Sequence, residues 1–294
     1  MPAPVVGAVV AAFRPGAELR TGVEAVLGQV ASVVVVVDEH PVGEDTRVVL
    51  EACRAASAEV VEHPANLGIG AALNTGVTRL RELLPELTDV LTLDQDSAVP
   101  EGYVPALLAA GAHARAAGVR VGMVAPDSVG SIVRLPGRRR QPDRVRLGGE
   151  PIQSGLLVPA AVLERTAGFD ETLFIDGVDT DFYLRARDLG LACVVAPGTR
   201  LEHRLGQAIA LGEGRELPLL VASTFRYHYQ WRNLVALLRR HARRHPAWAV
   251  RAVVRAVRHL AIVTVLAPGR LARLREAYAG LRAGLRGETG ARAG

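Results

Sequence analysis

The 294-residue chain is 49% hydrophobic but only 4% aromatic, enough to bury an aliphatic core in one large domain or one and a half. Its net charge of +5 hides an asymmetry: from Arg226 onward 15 Arg face only Glu276 and Glu288, a segment charge of +13 that leaves −8 for the first 225 residues. There is no Lys, and Cys53 and Cys193 lie far apart without metal-ligand spacing, which fits a reducing cytoplasm and excludes a thiolate metal site.

The N-terminal "MPAPVVGAVVAAF" has no basic region ahead of its apolar run and reads as a first strand rather than a signal peptide. "VVGAVVAAF" (5–13) and "ASVVVVVD" (31–38) are continuous β-branched runs of the kind found in strands buried on both faces. Between them "GAELRTGVEAVLGQV" has helical spacing. "DTRVVLEACRAASA" (45–58) predicts a second helix, "EVVEHP" (59–64) a short strand, "GIGAALNTGVTRLREL" (68–83) a third helix and "DVLTLD" (89–94) a further strand. Strands separated by helices of this length predict an α/β fold built on a mainly parallel sheet flanked by helices. In such sheets ligands collect beyond the carboxyl ends of the strands, where Asp38 and Asp94 sit.

The pattern breaks at "RLPGRRRQPDRVRLGGE" (134–150), which reads as a mobile, Arg-rich loop. Apolar structure resumes in "IQSGLLVPAAVLERTAGF". "LFIDGVDTDFYLRARDLG" reads as a loop entering a helix, and "ACVVAPGTRLEH" as a strand and a Pro-Gly turn leading to His203. Beyond Leu217 the pattern is helical and basic. No run of 18 uncharged apolar residues occurs, so no spanning helix is expected.

Asp94 and Asp96 stand at i and i+2 after a buried strand, so in extended backbone both carboxylates point the same way and can converge on one cation. Magnesium and manganese take such hard oxygen ligands and bridge them to diphosphate oxygens. "FIDGVDTDF" adds Asp176, Asp179 and Asp181, the acids of a helix entrance, where the macrodipole also favours negative charge.

Together "LTLDQDS", "NLGIGAALNTGV" and "LFIDGVDTDFYLRARDLG…APGTRLEHRLG" resemble family 2 glycosyltransferases of the GT-A fold. The DQDS, FID-x-x-D and H-x-x-G forms resemble the bacterial rhamnosyltransferase branch, over residues 5–240 or so. The resemblance implies a GT-A Rossmann-like catalytic domain over 1–215 and a helical, basic C-terminal region over 216–294. It also implies an inverting transferase that moves L-rhamnose from dTDP-L-rhamnose to a saccharide, with UDP-galactofuranose as the rival donor. A non-catalytic nucleotide-sugar-binding module is the alternative of a different class.

By position, the resemblance implies Asp96 and His203 as ligands of a divalent metal (Mg or Mn), with Asp94 on the metal or the ribose and Gln95 beside it in the donor site. Asp179 is implied as the base that deprotonates the acceptor, with Asp176 and Asp181 orienting the site or capping the helix. Arg185 and Arg187 then pair with these acids or with diphosphate. Asp38 is implied to bind the nucleotide base, although "VVDEHPVG" departs from the family's usual continuation and leaves thymine against uracil open. Asn66 and Gly68 open a helix whose free amides suit a polar or anionic ligand, and Asn74 either joins them or packs. Phe13 and Arg14 are implied to line the nucleotide pocket, and Ser154 and Gly155 to floor it.

In "WAVRAVVRAVRHLAIVTVL", Arg251, Arg255 and Arg258 fall at i, i+4 and i+7 against Val, Leu and Ile, a basic amphipathic helix suited to an anionic membrane surface. With a polyprenyl-diphosphate-linked acceptor, this predicts a peripheral enzyme at the cytoplasmic face. Nucleic acid is not an expected partner, because stacking aromatics are sparse and no binding motif occurs.

Overall fold

The computed structural model describes residues 3–130, 133–134, 145–203, 208–210 and 216–292, with 133–134, 203, 208–210 and 216–220 described by backbone alone. Most of the Arg-rich loop, 135–144, therefore lies outside the described residues. The chain alternates strand and helix as β1 (Val6–Ala12), α1 (Glu18–Leu27), β2 (Ser32–Val37), α2 (Glu44–Ala55), β3 (Glu59–Glu62), α3 (Ile69–Leu83) and β4 (Asp89–Asp94). There follow β5 (Ser97–Ala98), α4 (Tyr103–Ala116), β6 (Val121–Val129), β7 (Val133–Arg134), β8 (Leu156–Pro159), α5 (Ala160–Arg165), α6 (Val178–Asp188) and β9 (Ala192–His203). A small hairpin of β10 (Ala208–Ala210) and β11 (Glu216–Leu220) leads to three helices, α7 (Arg226–His241), α8 (Pro246–Leu266) and α9 (Arg270–Arg286).

The main sheet runs β3-β2-β1-β4-β8-β6-β9-β5, with β7 on β6. β1, β2, β3 and β4 pair in parallel, as do β6 and β9, whereas β8 is antiparallel between β4 and β6. The valine run of β2 shows why these strands read as unbroken apolar stretches. Val33, Val35 and Val37 enter a layer shared with α1, α2 and α4, while Val34 and Val36 enter the opposite layer with α3, α5 and α6. Burial on both faces removes the alternation a half-exposed strand would show.

Two expectations change on folding. The Pro197-Gly198 turn is a bulge inside a continuous β9: the ladder skips from Ala196 opposite Pro126 to Arg200 opposite Ser128. Pairing with β6 on both sides overrides the local turn signal. The region after Leu217 is helical only from Arg226, because residues 216–220 form β11.

The C-terminal helices pack on each other through small residues. A Cβ on Gly280 of α9 would come within 2.0 Å of the His228 carbonyl of α7, so only glycine allows this approach. Past α9, the Gly290 amide donates to the Thr172 carbonyl (2.7 Å), and Arg232 of α7 donates both to the Gly290 carbonyl and to that of Leu173 (2.9 Å). Among the described residues no helix is long and apolar enough to cross a membrane.

Candidate functional site

A cleft of about 1060 Å³ opens beyond the carboxyl ends of β1, β2 and β4, closed on the far side by the start of α6 and by α7. Asp94, Gln95 and Asp96 line one wall, and Asp176 and Asp179 line another. Acids eighty or more positions apart in the chain thus share one cavity, as expected of a strand-end crevice in a parallel sheet.

Hydrogen bonds fix the first wall. The Asp94 amide donates to the Ser154 hydroxyl (3.0 Å), which also bonds Ser97 (2.7 Å), and the Phe13 amide donates to Gln95 Oε1 (2.6 Å). The end of β1 is therefore tied to the turn that carries the two carboxylates. Two hard oxygen donors on such a turn suit a divalent cation, and the β5–β9 ladder sets the backbone of His203 opposite Ser97, one residue beyond Asp96. The side chain of His203 lies outside the described residues. Among those described, no three His, Cys, Asp or Glu side chains gather closely enough to hold a metal by themselves.

The second wall is a strained loop. Phe174 (φ 63°, ψ −65°) and Asp176 (φ 64°) both have positive φ, Phe174 at the centre of a three-residue turn closed by the Ile175 amide on the Leu173 carbonyl (2.7 Å); each costs of order 1–3 kcal/mol and persists only where neighbours enforce it. Asn233 of α7 enforces it by donating to the carbonyls of Leu173 (2.8 Å), Ile175 (2.8 Å) and Asp176 (2.7 Å). Arg226 adds a fork onto the Asp176 carboxylate (2.5 and 3.1 Å). Burial alone would lower the Arg226 pKa, but its hydrogen bonds to Asp176 and the charges of Asp176, Asp94 and Asp179 outweigh that and raise it. This guanidinium is thus a fixed cation set among the cleft acids.

Asp179, on the first turn of α6, has its carboxyl pushed up to about 7 by burial first, then by the charge of Glu150, with a smaller push from Asp176. The Thr180 amide, 2.8 Å away, opposes the shift without cancelling it. Glu150 is held in place by the Thr180 hydroxyl and by Arg255 of α8 (3.2 Å). A carboxyl that releases its proton near neutrality is matched to accepting one from a hydroxyl. Asp181, two residues on, turns away from the cleft into contact with His241 (2.9 Å) and Arg185 (2.6 Å).

The remaining predicted residues divide. Phe13, Asp38, Asn66, Gly68 and Ser154 line the cleft. The expectation of free amides at the start of α3 is corrected for three of them: Leu67 and Gly68 donate to Asp38 (2.7 Å each) and Ile69 donates to the Phe174 carbonyl (2.8 Å). Asp38 also bonds His63 (2.8 Å), so both its oxygens already have partners within the fold.

Gly68 (φ 95°) is required because a Cβ there would strike the Phe174 backbone. Arg14, Asn74, Gly155 and Arg185 are not part of the cleft wall. Asn74 bridges α3 to the Phe169 backbone and Glu171, and Gly155 (φ 79°) packs under Tyr103. Arg185 pairs with Asp181 and the Thr166 and Gly168 carbonyls, which of its two predicted partners selects the acids. Arg14 projects outward, 3.8 Å from Glu39.

Sequence reasoning missed Arg226, Asn233 and Glu150. "FRYHYQWRN" offered a hint in its cluster of polar and aromatic residues at a helix start, but one Arg among 35 carries no local signal.

No protein-family model matches the chain. It is 29% identical over 141 residues to the dTDP-rhamnosyl transferase RfbF of Shigella flexneri, over 47% of this chain and 46% of that protein. It is also similar in fold to the crystal structure of S. aureus TarS, with a TM-score of 0.51 at 14% identity over 95% of this chain and 55% of that one. The chain spans about half the length of each of these relatives. Its mostly parallel sheet with flanking helices is a GT-A Rossmann-like fold.

Proposed function

We propose that this chain, a GT-A protein of the rhamnosyltransferase-like branch, is an inverting glycosyltransferase that moves L-rhamnose from dTDP-L-rhamnose to a saccharide hydroxyl. What carries the reading is one cavity in which the strand-end pair Asp94 and Asp96 faces Asp179, whose carboxyl is pushed up to about 7. Asp179 accepts the proton of the attacking hydroxyl as the new glycosidic bond forms and the bond from the anomeric carbon to the diphosphate breaks. Single displacement from the face opposite the leaving group inverts the anomeric centre.

Asp94 and Asp96, with His203, would hold a divalent metal, Mg or Mn, which when bound neutralises charge on the departing diphosphate. Arg226 supplies a protein cation beside Asp94, Asp176 and Asp179 and keeps the loop of Asp176 in place. The acceptor sugar is carried on a lipid diphosphate, which places the protein at the inner face of the cell membrane. Support for that placement comes from α8, where Arg251, Arg255 and Arg258 are exposed beside Val250, Val254 and Val257.

A thermal-shift series with dTDP and UDP, each with and without MgCl₂ or MnCl₂, tests donor and cofactor together. The expected result is stabilisation by dTDP over UDP, and only with metal. Equal response to both nucleotides without metal overturns the donor and cofactor assignment, and absence of rhamnosyl transfer to any saccharide overturns the activity.

A further inference from the structure

Beside the cleft lies a second cavity of about 710 Å³, walled by α6, α8 and the segment 149–152. Arg187 of α6 and Arg251, Arg255 and Arg258 of α8 line it, against a single carboxylate among the described residues, Glu150, which Arg255 already pairs at 3.2 Å. Its apolar wall is Trp248, Val250 and Val254, and the two valines are 64% and 58% exposed. Positions 251, 254, 255 and 258 fall on one face of the helix, so cations and apolar surface alternate along a single groove. Trp248, Ile152, Glu150 and Arg255 also line the cleft, which makes the two cavities neighbours across a shared wall.

We propose that this groove seats the diphosphate and the proximal alkyl segment of a lipid-linked acceptor, which deepens and rests on the transferase reading above. Guanidinium groups bind phosphate oxygens in pairs, and among the described residues three of the four here have no carboxylate in the groove to satisfy them. The exposed valines offer the alkyl chain a surface that a free sugar phosphate would not use. An acceptor held this way presents its sugar over the shared wall, where Glu150 and the Thr180 hydroxyl adjoin Asp179. Charge complementarity and the wall shared with the cleft favour this occupant, whose sugar must reach Asp179, over a bilayer surface alone.

Trp231→Phe leaves Trp248, in the groove wall, as the chain's single tryptophan. With dTDP and MgCl₂ filling the cleft, titration of farnesyl diphosphate followed by Trp248 emission should give a saturable change. Arg251→Gln combined with Arg258→Gln should weaken that midpoint about tenfold, the loss of roughly one charged contact. Both arginines are exposed, so the fold and the dTDP midpoint should hold. Equal affinity of the double variant, or equal binding of farnesol, overturns the proposal. So does an equal Trp248 response to phosphatidylglycerol vesicles, which would reassign the face to the bilayer. If dTDP itself fails to bind, the transferase reading falls, while the titration repeated without nucleotide still decides the groove.

Discussion

The two sides of the first turn of α6 show how one short sequence serves opposite purposes. On the cleft side, Asp179 meets Glu150 and Asp176, and burial drives its carboxyl up to about 7. On the packed side, burial would also raise Asp181, but the His241 hydrogen bond and the charge and hydrogen bond of Arg185 outweigh it and hold the group below its ordinary value. Both are aspartates at a helix N-terminus, favoured there by the same dipole. Their difference comes from what is set against each, Glu150 and Asp176 on one side, His241 of α7 and Arg185 of α6 itself on the other, so protonation here is set by contact rather than by position on the helix.

The sharpest way to break the contrast is Asp179→Asn. It should cut turnover by about 10²–10⁴-fold, the range for loss of a general base, while the dTDP thermal shift persists. Full turnover in this variant would remove the base assignment. On the packed side, Asp181→Ala should lower the unfolding free energy by about 3 kcal/mol, since it strands Arg185 and the buried His241 without their partner. Urea unfolding measures that loss, and a change under about 1 kcal/mol would show that the pair is dispensable.

α7 supports both sides, so loosening it should blur the difference. Gly280→Ala drives a methyl into the His228 carbonyl and should cost about 2 kcal/mol by the same urea assay. Acidity offers a finer probe. Turnover should fall about tenfold per pH unit below an apparent pKa near 7, the limb expected of a base that must be ionised.

The sign for stability is the reverse. A carboxyl raised in the folded state contributes stability fully below its unfolded value of 3.8, and that contribution is lost as pH climbs through about 7. Asp179→Asn should therefore gain on the parent as pH rises from 3.8 to about 7, by at least about 1 kcal/mol. The smallest effect is assigned to Arg226→Gln. Removing this cation should move the acidic limb of the turnover profile up by about half a unit, because the acids lose a compensating charge.

Much of this architecture is written in local pattern. The valine runs of β1 and β2 and the helical spacing of α1, α2 and α3 fall where expected, because burial on both faces leaves a periodicity that needs no tertiary knowledge. Asp94, Asp96, Asp176 and Asp179 were legible as a group from motif order, and folding brings them to one cavity. The failures occur where a distant partner decides. The amides at the start of α3 looked available until Asp38, some thirty residues earlier, proved to occupy them. Pro197-Gly198 looked like a turn until β6 paired across it. Asn233 and Arg226 act on a loop fifty or more residues away and leave no trace in their own neighbourhood.

The clasp formed by Gly290 and Arg232 on the carbonyls of Thr172 and Leu173 has a mechanical corollary. Tension applied near residue 290 is transmitted, within a few covalent bonds, to the positive-φ kink at Phe174 and Asp176. A tag, a tether or a neighbouring protein pulling on that stretch would reach the catalytic pocket from behind, without ever entering it.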